Sequence, residues 1–151
     1  IEELRSFNFA IGPVLVSAQR ANHHSLTVGS RLFSPEGIIV FFPDSEPRAG
    51  SGDREMIDFI QGADVLILDS QYDRAEYRRH TGWGHGCVDD SVALALKAGV
   101  KKLILFHHDP DHDDKKMDAL VKYGRQLVAK AKGTLKVEAA REGMVIELRG
   151  K

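Results

Sequence analysis

At 151 residues the chain is the size of one domain, able to bury roughly two-thirds of its unfolded surface around a single core. Its 21 basic and 22 acidic residues are mixed along the sequence and leave a net charge of -1. That excludes a general footprint for duplex nucleic acid or an anionic membrane, although a nucleic-acid substrate could still be held locally. The single cysteine, Cys87, cannot form an intrachain disulfide, which points to a reducing compartment, the cytoplasm by default. No apolar run approaches the roughly 18 to 20 residues of a membrane span, and Ile1 to Arg5 are charged and helix-like rather than a signal peptide. The first residue is Ile1 rather than Met, which raises the expectation of a fragment, a processed product or missing N-terminal residues.

Apolar β-rich stretches come first. Pro13 to Val16, Thr27 to Phe33 and Gly37 to Phe42 are separated by turns such as Ser34-Pro35-Glu36-Gly37, and they read as an antiparallel strand set. Helix and strand then alternate: Arg54 to Gln61 helical, Asp64 to Leu68 a buried strand, Val88 to Ala98 helical, Lys101 to Phe106 a second buried strand. This alternation predicts α/β layering with helices covering the sheet. A helix after Asp113 places Met117, Leu120, Val121, Leu127, Val128 and Ala131 on one face, with Gly133 as its expected stop. Leu135 to Val137 and Met144 to Leu148 read as two closing strands. The sequence has no internal repeat, low-complexity segment or linker.

Three apolar runs lead into a residue able to bind metal: Ile38 to Phe42 into Asp44, Val65 to Leu68 into Asp69, and Leu103 to Phe106 into His107. Ligands collect at the carboxyl ends of strands in layered α/β proteins, so the three together predict a site. Any one alone reads more simply as a turn or helix cap. The run from His107 to Asp114 is dense in imidazole and carboxylate, a donor set that suits zinc, manganese or iron rather than calcium. Its structural reading is a helix-entry loop capped by Asp111 or Asp113, and both readings can hold together. His23 lies just before a predicted strand. His85 lies in Gly82-Trp83-Gly84-His85-Gly86, where the glycines would let the backbone approach closely and present an acid-base group into a cleft. The glycines follow no strand and are no dinucleotide fingerprint, and no P-loop or Ser or Cys nucleophile pattern occurs. A phosphorylatable receiver-like domain, suggested by Asp69 after a buried strand, lacks the required acidic pair and Lys-Pro.

These residues resemble the metallo-β-lactamase superfamily, in particular its phosphodiesterase-like and ribonuclease Z-like branches. The matching stretches are Asn22-His23 with Val28-Gly29-Ser30-Arg31, Phe41-Phe42-Pro43-Asp44-Ser45-Glu46-Pro47, Asp64 to Tyr72, Gly82-Trp83-Gly84-His85, and Leu105 to His112. The resemblance implies an α/β fold, half of an αββα sandwich with a mixed sheet flanked by helices, forming one domain over residues 1–151. It implies that His23 binds one metal, Asp44 bridges two and His107 binds the other. It places Asp69 and His85 beside them, with His85 donating a proton to the leaving group. The implied cofactor is a divalent metal, zinc first with manganese or iron as alternatives, two ions in the complete site generating a hydroxide nucleophile. The implied substrate is a small-molecule or nucleotide-type phosphodiester.

The HxHxDH motif of the family's N-terminal half is absent. The expectation is therefore the C-terminal portion of a metal-dependent hydrolase carrying part of the metal site, and inactive or weakly active by itself. The alternative is a degenerate, non-catalytic module for binding or assembly. In either case the inner sheet face would need cover from a missing N-terminal segment or a second copy. His24, His80 and His112 receive no ligand role.

Overall fold

Tight turns fold the N-terminal third back on itself. In the computed structural model, which describes residues 6–47 and 53–148, β1 (Ser6–Ile11) and β2 (Val14–Arg20) form a hairpin. Gly12 turns it with φ 56, a left-handed conformation that suits glycine. β3 (Val28–Ser34) and β4 (Gly37–Phe42) follow, and β1 to β4 pair antiparallel in sequence order. β1 is a strand the sequence reading misses, and β2 runs four residues beyond the predicted Val16. The expected helix-like start at Ile1 to Arg5 lies outside the described residues.

The rest of the chain is layered. α1 (Arg54–Ile60) leads to β5 (Val65–Asp69), α2 (Arg74–His80) and α3 (Val88–Lys97) lead to β6 (Lys102–Phe106), and α4 (Asp114–Lys130) leads to β7 (Lys136–Ala139). β4 to β7 pair in parallel, each through the helical crossover that parallel pairing requires. The result is one mixed seven-stranded sheet in the order β1 to β7.

Register builds the core. Val40, Leu66, Leu103 and Val137 form one cross-strand row and Phe42, Leu68 and Leu105 another, all buried on the face that α1, α3 and α4 cover. Each such side chain contributes about 1.5–3 kcal/mol by leaving water. The alternate residues point to the other face. There Ile39, Phe41, Ile67 and Phe106 are half-buried, and Phe9, Ile11 and Val28 are exposed, so that face carries an uncovered apolar surface among the described residues. Among the described residues no helix is long and apolar enough to cross a membrane.

Two expectations change. Met144 to Leu148 keeps the alternating burial of a strand but pairs with none of the described strands, and its Ile146 and Leu148 line a cleft beside Lys101 and Lys136. Alternation reports which side chains are covered, and it is blind to whether a neighbouring edge is free to bond. The left-handed residue closing α4 is Lys132 (φ 54), not Gly133. Gly133 instead gives space, since a Cβ there would lie 2.5 Å from the Leu96 side chain.

Candidate metal and acid-base site

Strand direction alone brings the ligands to one edge. β2 and β4 run the same way, being separated by antiparallel β3, and β4, β5 and β6 are parallel. The residues just past β2 (His23), β4 (Asp44) and β6 (His107), and the last residue of β5 (Asp69), therefore gather at the carboxyl edge. The loop between α2 and α3 brings His85 to the same place, with its ring stacked on that of His107 at 4.6 Å and its edge towards His23 at 5.5 Å. Thus all five predicted site residues converge.

Asp69 organises the centre. It is fully buried, and its Oδ2 accepts from the Ser45 N–H at 3.2 Å and from His85 Nδ1 at 2.8 Å. Its Oδ1 accepts from the N–H groups of Gly86 at 3.1 Å and Gln71 at 3.3 Å. Burial pushes the carboxyl above its ordinary range, against the bonds from His85 and Gly86. The same bond from Asp69 raises His85, with burial opposing it. A ring that donates Nδ1–H to a carboxylate has its tautomer and orientation set, leaving Nε2 of the neutral ring without a proton and free for other chemistry.

His107 sits opposite. Its Nε2 lies 2.9 Å from Asp44 Oδ1, and each side chain is 34% exposed, so both remain accessible. Its Nδ1 is buried with no hydrogen-bond partner, and its backbone is left-handed at φ 59, a conformation costing roughly 1–2 kcal/mol for a residue with a Cβ. His23 packs against His24 at 4.0 Å and meets Ser25 Oγ at 2.8 Å through Nδ1. Burial first, then the neighbouring His24, holds His23 below the usual imidazole range, which favours the neutral, ligating form.

Two overlapping triads result. His23, Asp44 and His85 offer ligand atoms within 4.8 Å of one another, and so do Asp69, His85 and His107. The mixed imidazole and carboxylate donors, together with the orphaned Nδ1 of His107, fit a divalent transition metal. Asp69 is close enough to ligate, yet both of its oxygens already accept hydrogen bonds.

Glu46 is a buried acid of the candidate site that sequence reasoning misses. Only 7% exposed, it accepts from Tyr77 Oη at 2.6 Å and from the N–H groups of Gly82 at 2.9 Å and Gly84 at 3.0 Å. Burial alone would raise its carboxyl, but these donors outweigh that and hold it below the ordinary range. The segment carrying Asp44 is thereby clamped to the loop carrying His85. Its only signal in the sequence is a Glu two residues after Asp44, which does not distinguish it from a surface acid. Two other histidines bind elsewhere: His108 Nε2 meets the Ala140 carbonyl at 3.1 Å and His112 Nε2 meets Glu76 at 3.1 Å. Asp113 caps α4 by accepting from the Lys116 N–H at 2.8 Å. A cleft of about 770 Å³ opens beside His23 and Ser45, bordered by Arg20 and Arg54.

Known proteins share this arrangement of chain. Residues 3–108 match the model of the beta-lactamase superfamily domain. Among curated relatives, the ribonuclease Z of Brevibacillus brevis is 25% identical over 126 residues, covering 78% of this chain and 38% of that protein. The ribonuclease Z of Picrophilus torridus is 34% identical over 80 residues, covering 53% and 24%. Among solved structures, a metallo-beta-lactamase fold protein from Bacillus subtilis superposes with a TM-score of 0.75 at 20% identity, over 91% of this chain and 50% of that one. The short form of human tRNase Z superposes with a TM-score of 0.69 at 21% identity, over 98% and 48%. The chain thus spans half or less of the length of these proteins. With the match extending from residue 3 to residue 108, across β1 to β6 and every residue of the site, the chain belongs to the beta-lactamase superfamily.

Proposed function

We propose that this chain is the part of a metal-dependent phosphodiesterase that carries one rim of its metal site. The convergence of His23, Asp44, Asp69, His85 and His107 on one sheet edge, in two overlapping ligand triads, carries the reading. His23, Asp44 and His107 would hold divalent cations, zinc first with manganese or iron as alternatives, and two ions in the complete site. When bound, such ions supply Lewis acidity, lowering the pKa of water and drawing charge from a phosphoryl oxygen.

The chain's own residues do the rest. Asp69 holds His85 by Nδ1, which leaves Nε2 to deliver a proton to the departing oxygen. Glu46 keeps the glycine loop, and with it His85, at a fixed height over Asp44. The curated relatives named above are ribonucleases Z, which favours an RNA or nucleotide-type phosphodiester as substrate. On this reading the ligands of the absent HxHxDH motif would come from an N-terminal segment outside these 151 residues, and that segment or a second copy would cover the apolar sheet face.

The test is to measure zinc or manganese binding and metal-dependent hydrolysis of an oligoribonucleotide by this chain, alone and with a segment bearing HxHxDH supplied. Weak, substoichiometric binding alone, with binding and hydrolysis recovered on addition, is the expected result. Full activity without that segment would sink the partial-site reading. No hydrolysis under either condition would favour a non-catalytic module.

A further inference from the structure

We propose that the end of α2 and the loop after it, through Arg78, Arg79 and Trp83, grip a single-stranded nucleic-acid segment flanking the scissile phosphate, with Trp83 stacking one base. The proposal rests on the phosphodiesterase reading, since it names the substrate class of that same site. Trp83 is the chain's only tryptophan and is 59% exposed. Tryptophan is ordinarily well buried, so an open indole asks for an explanation.

The ring's mount is rigid. The Trp83 backbone N–H donates to the His80 carbonyl at 3.0 Å, and the Trp83 and His80 rings meet in a T-shaped contact at 4.6 Å. His80 in turn lies flat on Tyr72 at 4.6 Å, and Tyr72 is 3% exposed. The glycines on either side of Trp83 are tied to buried Glu46. An aromatic face braced in this way costs little to order when a partner arrives. It also stands at the rim of the site: Gly84 is close enough to His23 that a Cβ would lie 2.4 Å from the ring, and His85 is the next residue.

Charge complements the ring. Arg78 and Arg79, in the last turn of α2, are exposed and have no hydrogen bond or ion pair among the described residues. Arg74, on the same helix, is by contrast paired with Asp90 at 2.6 Å. The nearby acids are engaged, Glu76 with Lys116 and His112 and Glu46 with Tyr77 and the loop. Guanidinium groups for phosphates and an open indole for a base are the chemistry that recognises single strands, whatever their sequence.

The test is anisotropy of a fluorescein-labelled oligoadenylate and of an abasic oligomer of equal length, titrated with this chain in EDTA so that no hydrolysis occurs. Trp83→Ala should raise Kd for oligoadenylate about tenfold and leave the abasic oligomer unaffected, with Trp83→Phe between wild type and Trp83→Ala. Arg78→Ala and Arg79→Ala should each flatten the log Kd against log salt slope by about 0.7. Unchanged oligoadenylate binding in Trp83→Ala, or equal loss for both oligomers, would overturn the proposal. So would a Trp83→Ala chain that binds normally but loses self-association in sedimentation, which would make the ring a contact between copies. Oligoadenylate binding with no metal-dependent hydrolysis even when a segment bearing HxHxDH is supplied would sink the phosphodiesterase reading alone, and hydrolysis in that mixture without base-dependent binding would sink the grip alone.

Discussion

Gly84→Ala tests whether the glycine loop sets the position of His23. Gly84 has φ 93, so any Cβ there costs roughly 1–2 kcal/mol in backbone strain. That Cβ would also lie 2.4 Å from His23 Cδ2, 3.0 Å from its Nε2 and 3.2 Å from His24 Nδ1. An ordinary contact is about 1 Å longer than the first of these, so the His23 ring must retreat by about that much, whereas a metal-ligand bond tolerates only about 0.2 Å. Gly82→Ala is the matched control, with φ 85 and nothing within 4 Å of its Cβ. Both variants should lose about 1–2 kcal/mol in urea unfolding with EDTA present. Only Gly84→Ala should shift the His23 imidazole resonances in NMR and weaken zinc about 10–100-fold in chelator competition. Equal effects of the two variants on His23 and on zinc would refute the claim that loop contact positions this ligand.

His107→Ala and Asp44→Ala should each abolish metal-dependent hydrolysis in the complete site, while His85→Ala keeps its metal and slows turnover by about 10²–10⁴ in kcat; metal loss in His85→Ala, read by elemental analysis, would move His85 into the ligand set. Leu68→Ala, in the fully buried row with Phe42 and Leu105, should cost about 2–5 kcal/mol by urea denaturation without altering which residues bind metal. Asp73 caps α2 and bridges to Lys116 at 2.6 Å; burial pushes its carboxyl up, but Lys116 and the helix N–H groups outweigh that and hold it below its ordinary 3.8. A lowered folded pKa gives stability that is present above about pH 3.8 and lost as pH falls through the folded value. Asp73→Asn, which keeps a capping oxygen but loses the charge facing Lys116, should therefore lose about 0.2–1 kcal/mol near neutrality and show a flatter acid limb in unfolding measured across pH 2 to 6.

Much of the site was readable because it is written locally. Three apolar runs that each end in Asp or His mark strands with a candidate site residue at the end, so Asp44, Asp69 and His107 could be named as candidates from the sequence. Parallel β4, β5 and β6 then bring them to one edge by direction alone. α2 was not legible, since it buries no residue and is held by Asp73, Arg74 and Glu76 reaching other elements, which leaves no apolar period to read.

What the sequence by itself determined was the place of β2 to β7 and the residues at the ends of β4, β5 and β6, since these follow from side-chain period and type. Tertiary structure alone decided how those residues are held. Asp69 became the buried acceptor that orients His85, because four donors from three separate segments close over its two oxygens. Glu46 became a clamp because the Gly82–Gly84 backbone folds over it, and Met144 to Leu148 stayed unpaired despite its alternation. Contacts between residues tens of positions apart leave no local period or composition, so only the folded chain reveals them.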